Sequence, residues 1–426
     1  STVTSEDYKI PADNTAPKLS LNIQSTALRY ALGAFITSPI KSLQIEANET
    51  PLSIRRKILS FNYSIKTSSK PFSQMYQYVY KNQVPPKLMH QRTKPFLSRV
   101  SQYYNEIEFK IPNLHNIQTT TRNPPWNLHR PSLDTEFHQI SKEVINPSSC
   151  KQLYSALQDK YPNAINIFTD GSVTTQGSGC AVVYPDYTMM YPLPHYFTIF
   201  TCEMFAIKEA LLIITQSRDN KFIIHSDSLS ALQTLQKREH KHPLTLEILQ
   251  QYSTIQQSGK QVTFIWIPSH KGIKGNDEAD AAAKEATLHP SDDLHIPSPP
   301  QDVTTYVKKR LINNWKTEWL QLPHTKLHEA RSDHVGLYQP LLTLRRQEQV
   351  MLTRLRIGHS KLSHSYLISK QPPPICTTCQ TNISLKHILL ICPLYTKWRK
   401  KNNITDTLNP KRRWQDKKCN QFPKRL

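Results

Sequence analysis

The stretch INIFTDGSVTTQGSGCAVVY, residues 165–184, decides the fold expected for the middle of the chain. Its first residues, Ile165 to Thr169, form a short β-like run that ends in Asp170-Gly171-Ser172. Gly179 to Tyr184 is a second apolar run beyond a turn-rich segment, so the two runs predict a β-hairpin. An Asp before Gly and Ser is most often a turn or cap residue. The role of Asp170 therefore depends on the segments beyond the hairpin.

Helices and strands alternate after this hairpin. Residues 201–217 (TCEMFAIKEALLIITQS) carry apolar side chains at helical spacing, with Glu203 expected in the first turn. Residues 221–226 (KFIIHS) predict a buried strand that leads to Asp227, and apolar side chains alternate again along residues 262–266 before an alanine-rich helix. This order predicts an α/β fold, a mixed sheet with helices on both faces.

Charge is distributed unevenly along the chain, whose formal net charge is +22. Residues 163–287 contain ten Lys and Arg against twelve Asp and Glu, whereas both flanks are basic. Basic flanks predict a polyanionic partner, and nucleic acid is favoured over an anionic membrane surface because nothing in the sequence looks like a lipid anchor or an amphipathic membrane helix. No apolar run approaches the ~18 residues of a membrane span. The sequence carries no signal for an oligomeric state.

Cysteine usage and the N-terminus indicate the compartment. The seven cysteines are an odd set with three of them crowded between Cys376 and Cys392, which argues against a secreted disulfide framework. The first twenty residues have no secretory pattern. We therefore expect an intracellular protein, nuclear or cytoplasmic. The chain begins at Ser1 without a methionine, as expected for a fragment or a processed product of a longer protein.

Four acids occupy the places where such a sheet would gather catalytic groups: Asp170, Glu203, Asp227 and Asp280. Each of them singly is most often a cap, turn or helix-dipole residue. Four carboxylates near one point repel each other and raise one another's pKa unless cations neutralise them. Oxygen ligands suit Mg²⁺ or Mn²⁺, and two such ions about 4 Å apart are arranged for in-line attack on a phosphodiester.

Four motifs in order resemble a type 1 ribonuclease H domain. They are TDGS at 169–172, CE(x)FAI(x)EAL at 202–211, SDS(x)SAL at 226–232 and H(x)G(x)(x)GN(x)(x)AD at 270–280. The resemblance implies the five-stranded ribonuclease H-like fold over residues 163–287. It also implies cleavage of the RNA strand of an RNA–DNA hybrid, leaving 3′ hydroxyl and 5′ phosphate ends.

The resemblance also assigns roles to the acids and to one histidine. Asp170 would bridge two metal ions, and Glu203, Asp227 and Asp280 would complete their shells. His270 would be the mobile-loop histidine that assists proton movement and product release; the alternative is a surface or N-capping histidine.

Substrate contacts are expected from three further positions. Gly171 and Ser172 would approach the RNA sugar, whose 2′-hydroxyl distinguishes RNA from DNA, and Asn276 belongs to the same substrate-binding group. The family usually has Asn-Glu where this chain has Asn276-Asp277. The side chain of Asp277 is one methylene shorter, which weakens any contact that a glutamate would make there.

The flanks resemble parts of a longer polyprotein. LRYALGAFITSP (28–39) and SLQIEANETPLSIRRKILSFNYSIK (42–66) resemble the segment that joins reverse transcriptase to ribonuclease H in non-LTR retrotransposons of the jockey and R1 type. RLRIGHSKLSHSYL (354–367) resembles the segment after it. The alternative is a set of generic basic helices. No Tyr- or Phe-x-Asp-Asp polymerase signature occurs in the sequence.

Six segments are expected along the chain. They are a helical basic segment (1–110), an irregular linker or extended covering strand (111–162), the ribonuclease H domain (163–287), a Pro-rich linker (288–302), a second helical basic segment (303–370), and a Cys/His cluster with a basic tail (371–426).

A second metal site is expected near the C-terminus. Cys376-x₂-Cys379-x₇-His387-x₄-Cys392 offers three thiolates and one imidazole, which hold Zn²⁺ tetrahedrally in zinc knuckles. The alternative places His387 and Cys392 on a small buried helix without metal. For the chain as a whole, the alternative to a nuclease is an inactive remnant whose basic flanks still bind nucleic acid; it is disfavoured because all four acids and His270 are present.

Overall fold

The computed structural model describes residues 15–81, 94–116, 128–139, 147–237, 242–289, 296–322, 327–328, 345–384 and 386–401. The chain divides into two compact units. Unit 1 combines residues before 60 with residues after 308, and unit 2 comprises most of the chain between them. Within the described ranges, no helix has the length and apolar character needed to cross a membrane. The basic tail predicted after the Cys/His cluster lies outside the described residues from position 402 onward.

Unit 2 is built on a six-stranded mixed sheet with the order β1-β6-β5-β2-β3-β4. The strands are β1 (Ser132–Asp134), β2 (Ile165–Val173), β3 (Ser178–Tyr184), β4 (Tyr187–Leu193), β5 (Lys221–Ser226) and β6 (Gln261–Trp266). β2, β3 and β4 pair antiparallel, whereas β1, β6, β5 and β2 run parallel. The predicted α/β class, mixed sheet and opening hairpin are confirmed, with six strands where five were expected.

The helices are numbered in chain order. They are α1 (Thr15–Leu32), α2 (Ile40–Ala47), α3 (Leu52–Ser68), α4 (Gln74–Tyr76), α5 (Phe96–Glu106), α6 (Pro147–Asp159), α7 (Ile199–Gln216), α8 (Leu229–Gln236), α9 (Pro243–Gln257), α10 (Lys274–Ala286), α11 (Pro300–Gln321), α12 (Arg346–Ile357), α13 (Lys361–His364), α14 (Tyr366–Ser369) and α15 (Thr396–Lys401).

The sixth strand and an additional helix come from residues 111–162, the segment expected to be an irregular linker or an extended covering strand. β1 adds to the edge of the sheet, parallel to β6, and α6 follows it along the chain. β1 has three residues, too few for an alternating pattern. In α6, Cys150, Leu153, Tyr154 and Leu157 follow helical spacing, a signal that sequence reasoning missed. The short strand therefore lacked a usable local pattern, whereas the helix had one.

Helices cover both faces of the sheet, as expected. A Cβ on Gly275 of α10 would lie 2.2 Å from the ring of Phe168, and a Cβ on Gly171 would lie 2.8 Å from Cys202 Cβ of α7. Phe168 and Gly171 are three residues apart on β2 and so point to opposite faces. Apolar side chains of β2, β5, β6, α7 and α9 form the main core. α10 and α7 are thus held on opposite sides of the same central strand.

Helix α7 begins earlier than expected. Thr198 is its N-cap and accepts a hydrogen bond from the backbone N–H of Thr201, so Glu203 lies in the second turn rather than the first. Asp302 of α11 accepts hydrogen bonds from the N–H and the hydroxyl of Thr198, each at 3.1 Å. A residue beyond the predicted domain therefore caps the helix that carries Glu203.

Unit 1 is helical where it is described. Leu28, Leu43 and Ile357 form one small apolar cluster, and Ile45 packs with Trp315 and Trp319 in another. Glu46 of α2 accepts a hydrogen bond from the guanidinium of Arg356 of α12 at 2.9 Å, and both side chains are almost fully buried. Removing one partner of such a pair would leave a buried charge uncompensated, so the pair ties α2 to α12.

Candidate active site

Three of the predicted carboxylates converge beside the two central strands of the sheet, β2 and β5. Asp170 lies within β2, Asp227 directly follows β5, and Glu203 lies on α7. Each of them offers a carboxylate oxygen within 4.8 Å of the others. The parallel register pairs Thr169 with Ser226, so the residues that follow these two, both aspartates, are neighbours where β5 ends beside β2. Carboxyl ends of parallel strands are where α/β proteins assemble their sites.

Gly171 allows Glu203 to reach this position. A Cβ at residue 171 would lie 2.6 Å from the backbone nitrogen of Glu203, a distance that real side chains do not adopt. The missing side chain therefore permits α7 to lie directly against β2. Hydrogen bonding from the backbone of Gly171 also lowers the pKa of both Asp170 and Glu203. Besides the expected role toward the RNA sugar, Gly171 thus shapes the acidic centre itself; its neighbour Ser172 is buried.

The electrostatics of the centre favour a bound cation. Burial, followed by the charges of Asp227 and Asp280, raises the pKa of Asp170 to about 7. Burial, followed by the charge of Asp170, also raises the pKa of Glu203. Glu203 Oε2 is buried and accepts no hydrogen bond from the described residues. Oxygen ligands of this kind fit Mg²⁺ or Mn²⁺, so the residues present suit the divalent ions that the motifs imply.

Asp280 lies at the margin of this centre rather than in the group of three. Its charge contributes to the raised pKa of both Asp170 and Asp227, which shows that it is nearby. Lys284 Nζ lies 2.6 Å from Asp280 Oδ2. Sequence reasoning missed this lysine, although the i, i+4 spacing on a predicted helix was a usable signal.

His270 is on the exposed side of Asp280. Its Nδ1 lies 3.9 Å from Asp280 Oδ2, and its side chain is 69% exposed. The backbone of His270 has a φ of +54°, an uncommon conformation for a residue other than glycine. The loop therefore presents the imidazole to solvent beside the acids.

Asn276 and Gly275 hold the start of α10 against the sheet. Asn276 is only 2% exposed, and its amide donates a hydrogen bond to Asp227, which opposes the rise in the pKa of Asp227 caused by burial. Gly275 leaves the space that the Phe168 ring occupies. In the structure Asn276 therefore contacts a catalytic candidate directly, a position that the sequence motif did not reveal.

The Cys/His cluster of unit 1 also converges. Cys376, Cys379, His387 and Cys392 each offer a ligand atom within 4.8 Å of the others. The Sγ of Cys392 lies 3.7 Å from that of Cys376 and 3.8 Å from that of Cys379. The imidazole of His387 is the largest of the causes that lower the pKa of Cys376 to about 6. His387 Nε2 is buried and has no hydrogen-bond partner among the described residues.

The local structure around His387 and Cys392 includes a short helical turn. His387 begins a π-helical turn, His387–Ile391, and Cys392 follows it, so these residues do flank a small buried helical turn. The same turn directs them to the two other cysteines.

Comparison with known proteins bears on unit 2. No curated protein matches the chain. Residues 162–287 match the family model of RNase H, a range that begins one residue before the domain expected from the motifs. This range contains β2 to β6, α7 to α10 and all four acids. The match, together with the mixed sheet and its buried acids, supports a type 1 ribonuclease H domain in this part of the chain.

Proposed function

We propose that residues 162–287 form a metal-dependent endoribonuclease that hydrolyses the RNA strand of RNA–DNA hybrids. The observation that carries the proposal is the convergence of Asp170, Glu203 and Asp227 within 4.8 Å, inside a segment that matches the RNase H family. The buried, unpartnered oxygen of Glu203 supports a cation at this point. Three carboxylates held this close together would repel one another without a cation to neutralise them.

Asp170, Glu203 and Asp227 would hold two Mg²⁺ or Mn²⁺ ions, with Asp280 at the margin as the fourth ligand. When bound, such ions would activate the attacking water and stabilise the leaving 3′ oxygen of the RNA. Asn276 orients the Asp227 carboxylate through its amide. His270 is exposed near Asp280 and so is placed to exchange a proton with solvent as the product leaves.

Cleavage of a labelled hybrid tests this function. The full chain is incubated with a hybrid labelled on either strand, in Mg²⁺ or Mn²⁺, and the products are resolved by length and end group. We expect cuts in the RNA strand alone, with 3′ hydroxyl and 5′ phosphate ends, and no cuts with Asp170→Asn. A wild-type chain that binds the hybrid in a salt-sensitive manner but stays inert with both ions would instead identify an inactive remnant.

We further propose that Cys376, Cys379, His387 and Cys392 hold a structural Zn²⁺. A tetrahedral site with Zn–S bonds of about 2.3 Å has S···S edges of about 3.8 Å. The two distances from Cys392 Sγ, 3.7 and 3.8 Å, agree with that geometry. Four protein ligands leave no open position, which is typical of structural rather than catalytic zinc.

We also propose that the chain derives from the C-terminal part of a non-LTR retrotransposon polyprotein. The resemblance of residues 28–39, 42–66 and 354–367, on both sides of the RNase H match, supports this origin. Sequencing the coding region upstream of Ser1 tests it. A reverse transcriptase reading frame with a Tyr- or Phe-x-Asp-Asp signature is expected there. An unrelated upstream sequence would contradict the proposed origin but not the proposed nuclease activity.

A further inference from the structure

Helix α6, which precedes the RNase H match, lies beside the loop that carries His270. Cys150 of α6 is fully buried, and the charge of Lys271 opposes the rise in its thiol pKa caused by burial, so the two residues are close. Gly272 has a φ of +76°, and a Cβ placed on it would lie 3.2 Å from Cε of Lys151. The first turn of α6 therefore contacts loop residues 271–272, next to His270.

The position of α6 is fixed by the strands that carry the acids. The ring centroid of Tyr154 lies 5.4 Å from that of His225 and 6.4 Å from that of Phe168. These two residues precede Asp227 and Asp170 by two positions in β5 and β2. Leu157, one turn further along α6, is buried in the same core. Lys151 is thereby held at a defined place relative to the acidic centre.

Three lysines of the matched segment are already engaged within the protein. Lys208 pairs with Glu247, Lys260 donates to the carbonyls of Ile214 and Ser217, and Lys284 pairs with Asp280. These three lysines offset the protein's own charges and dipoles. A polyanionic hybrid at the acidic centre would therefore gain from cations supplied by other parts of the chain, because phosphate contacts supply most sequence-independent affinity.

We propose that Lys151 binds a backbone phosphate of the RNA–DNA hybrid beside the His270 loop. This inference rests on the proposed function. It assigns hybrid binding to a lysine that lies outside the matched segment. Lys151 is exposed, so its ammonium is open to a phosphate in solvent. Its stem passes over Gly272, and the ammonium therefore lies on the same rim as His270. The flank before the domain thus becomes part of the substrate-binding surface.

Neutralising Lys151 tests the proposal against a matched control. Lys160, just beyond the other end of α6, forms an ion pair with Glu136 and lies outside the proposed surface. For Lys151→Gln in the full chain we expect KM for the hybrid to rise about fivefold while kcat stays within about twofold. The slope of log affinity against log salt concentration should become less negative by about 0.9. Lys160→Gln should change KM and slope little, and Lys151→Arg should restore both.

Two results would overturn the proposal. One is an unchanged KM and salt slope in Lys151→Gln. The other is a lower kcat at unchanged KM, which would mean that Lys151 supports the His270 loop instead of binding phosphate. Hybrid affinity is also measured in chains that carry Asp170→Asn, with and without Lys151→Gln. This binding comparison tests Lys151 even if the wild-type chain fails to cleave, so failure of the proposed nuclease activity is distinguishable from failure of this inference.

Discussion

The acidic centre of unit 2 and the Cys/His cluster of unit 1 are both suited to metal, yet the chain builds them in opposite ways. Asp170, Glu203 and Asp227 come from two strands and a helix that a large apolar core already holds together. The four Cys/His ligands come from residues 376–392, a short segment with one isolated β-bridge and short helical turns. In unit 2 the fold positions the acids, whereas under the proposed zinc site a bound ion would hold the short cluster segment together.

Because the two sites are built differently, a bound metal ion would have a different effect at each of them. At the acidic centre, buried like charges raise one another's pKa, so an ion there would relieve repulsion within a scaffold stabilised by a large apolar core. At the cluster, an ion would replace a core that the short segment cannot supply, because very small modules need metals or disulfides to fold. Loss of metal should therefore abolish activity in one case and local structure in the other.

The largest effect is expected at the cluster. Cys392→Ser should abolish tight Zn²⁺ binding, whose free energy is on the order of 10 kcal/mol in zinc modules, and should expose residues 371–401 to proteolysis. Zinc content by native mass spectrometry and limited proteolysis measure the two changes. Cys419→Ser, which changes a cysteine outside the cluster, is the control. Equal zinc content in both variants would contradict a metal site formed by Cys376, Cys379, His387 and Cys392.

A smaller effect is expected where α10 meets the sheet. Gly275→Ala would place a Cβ 2.2 Å from the Phe168 ring, and such overpacking costs about 1–3 kcal/mol of unfolding free energy. Chemical denaturation measures the loss. Adding Phe168→Leu should restore part of the stability, because the smaller side chain vacates the contact. A Gly275→Ala chain as stable as the wild type would show that this close packing is not required.

The cap of α7 should contribute about 1 kcal/mol. Asp302→Ala removes the acceptor for the N–H and hydroxyl of Thr198, with a cost typical of a lost cap. Asp302→Asn keeps an acceptor and should cost less. Urea unfolding of the three chains measures the difference, and an Asp302→Ala chain of wild-type stability would contradict the cap.

The pH dependence of the same position has a defined sign. Burial raises the pKa of Asp302 above the value of an unfolded Asp, so folding favours its protonated form. The stability contributed by this group is greatest at low pH and is lost as pH rises through the raised pKa. Relative to Asp302→Asn, the wild type should therefore lose stability as pH rises from about 4, the ordinary pKa of Asp, through the raised pKa. A reversed trend in urea unfolding would contradict a buried carboxyl with a raised pKa.

The smallest effect concerns Lys284. Its ammonium would compete with the proposed metal ion for Asp280, and an ion pair this exposed is worth about 0.5 kcal/mol. Lys284→Met should therefore lower the Mg²⁺ concentration for half-maximal cleavage about twofold. Lys274→Met is the control, because Lys274 pairs with the more exposed Glu278 at 3.7 Å. An equal shift in both variants would indicate a general charge effect.

The sequence predicted the parts of the fold that depend on local pattern. Short apolar runs marked β2, β3 and β5, alternating apolar residues marked β6, and the i, i+3 and i, i+4 stripe marked α7. The strand β1 was missed because its three residues gain their place from pairing with β6, a partner more than a hundred residues away. The start of α7 was placed too late because its N-cap, Thr198, is held by Asp302, far along the chain.

The sequence predicted which residues belong to the candidate site more fully than it predicted their arrangement. Motif order brought Asp170, Glu203 and Asp227 together, but it could not show that Asp280 lies at the margin, paired with Lys284. It also could not show that Gly171 and Gly275 act by close packing, because a clash distance depends on how α7 and α10 dock on the sheet. These features arise from tertiary contacts that local patterns do not encode.

The rate of hybrid cleavage in three chains tests the central claim most directly. kcat at saturating hybrid is measured against Mg²⁺ concentration for the wild type, Asp170→Asn and Cys392→Ser. We expect Asp170→Asn to lose on the order of 10³-fold, equivalent to about 4 kcal/mol of transition-state stabilisation, whereas Cys392→Ser keeps the wild-type kcat and Mg²⁺ dependence within about twofold. Cleavage that survives in Asp170→Asn, or that is lost equally in Cys392→Ser, would contradict an independent acidic metal centre.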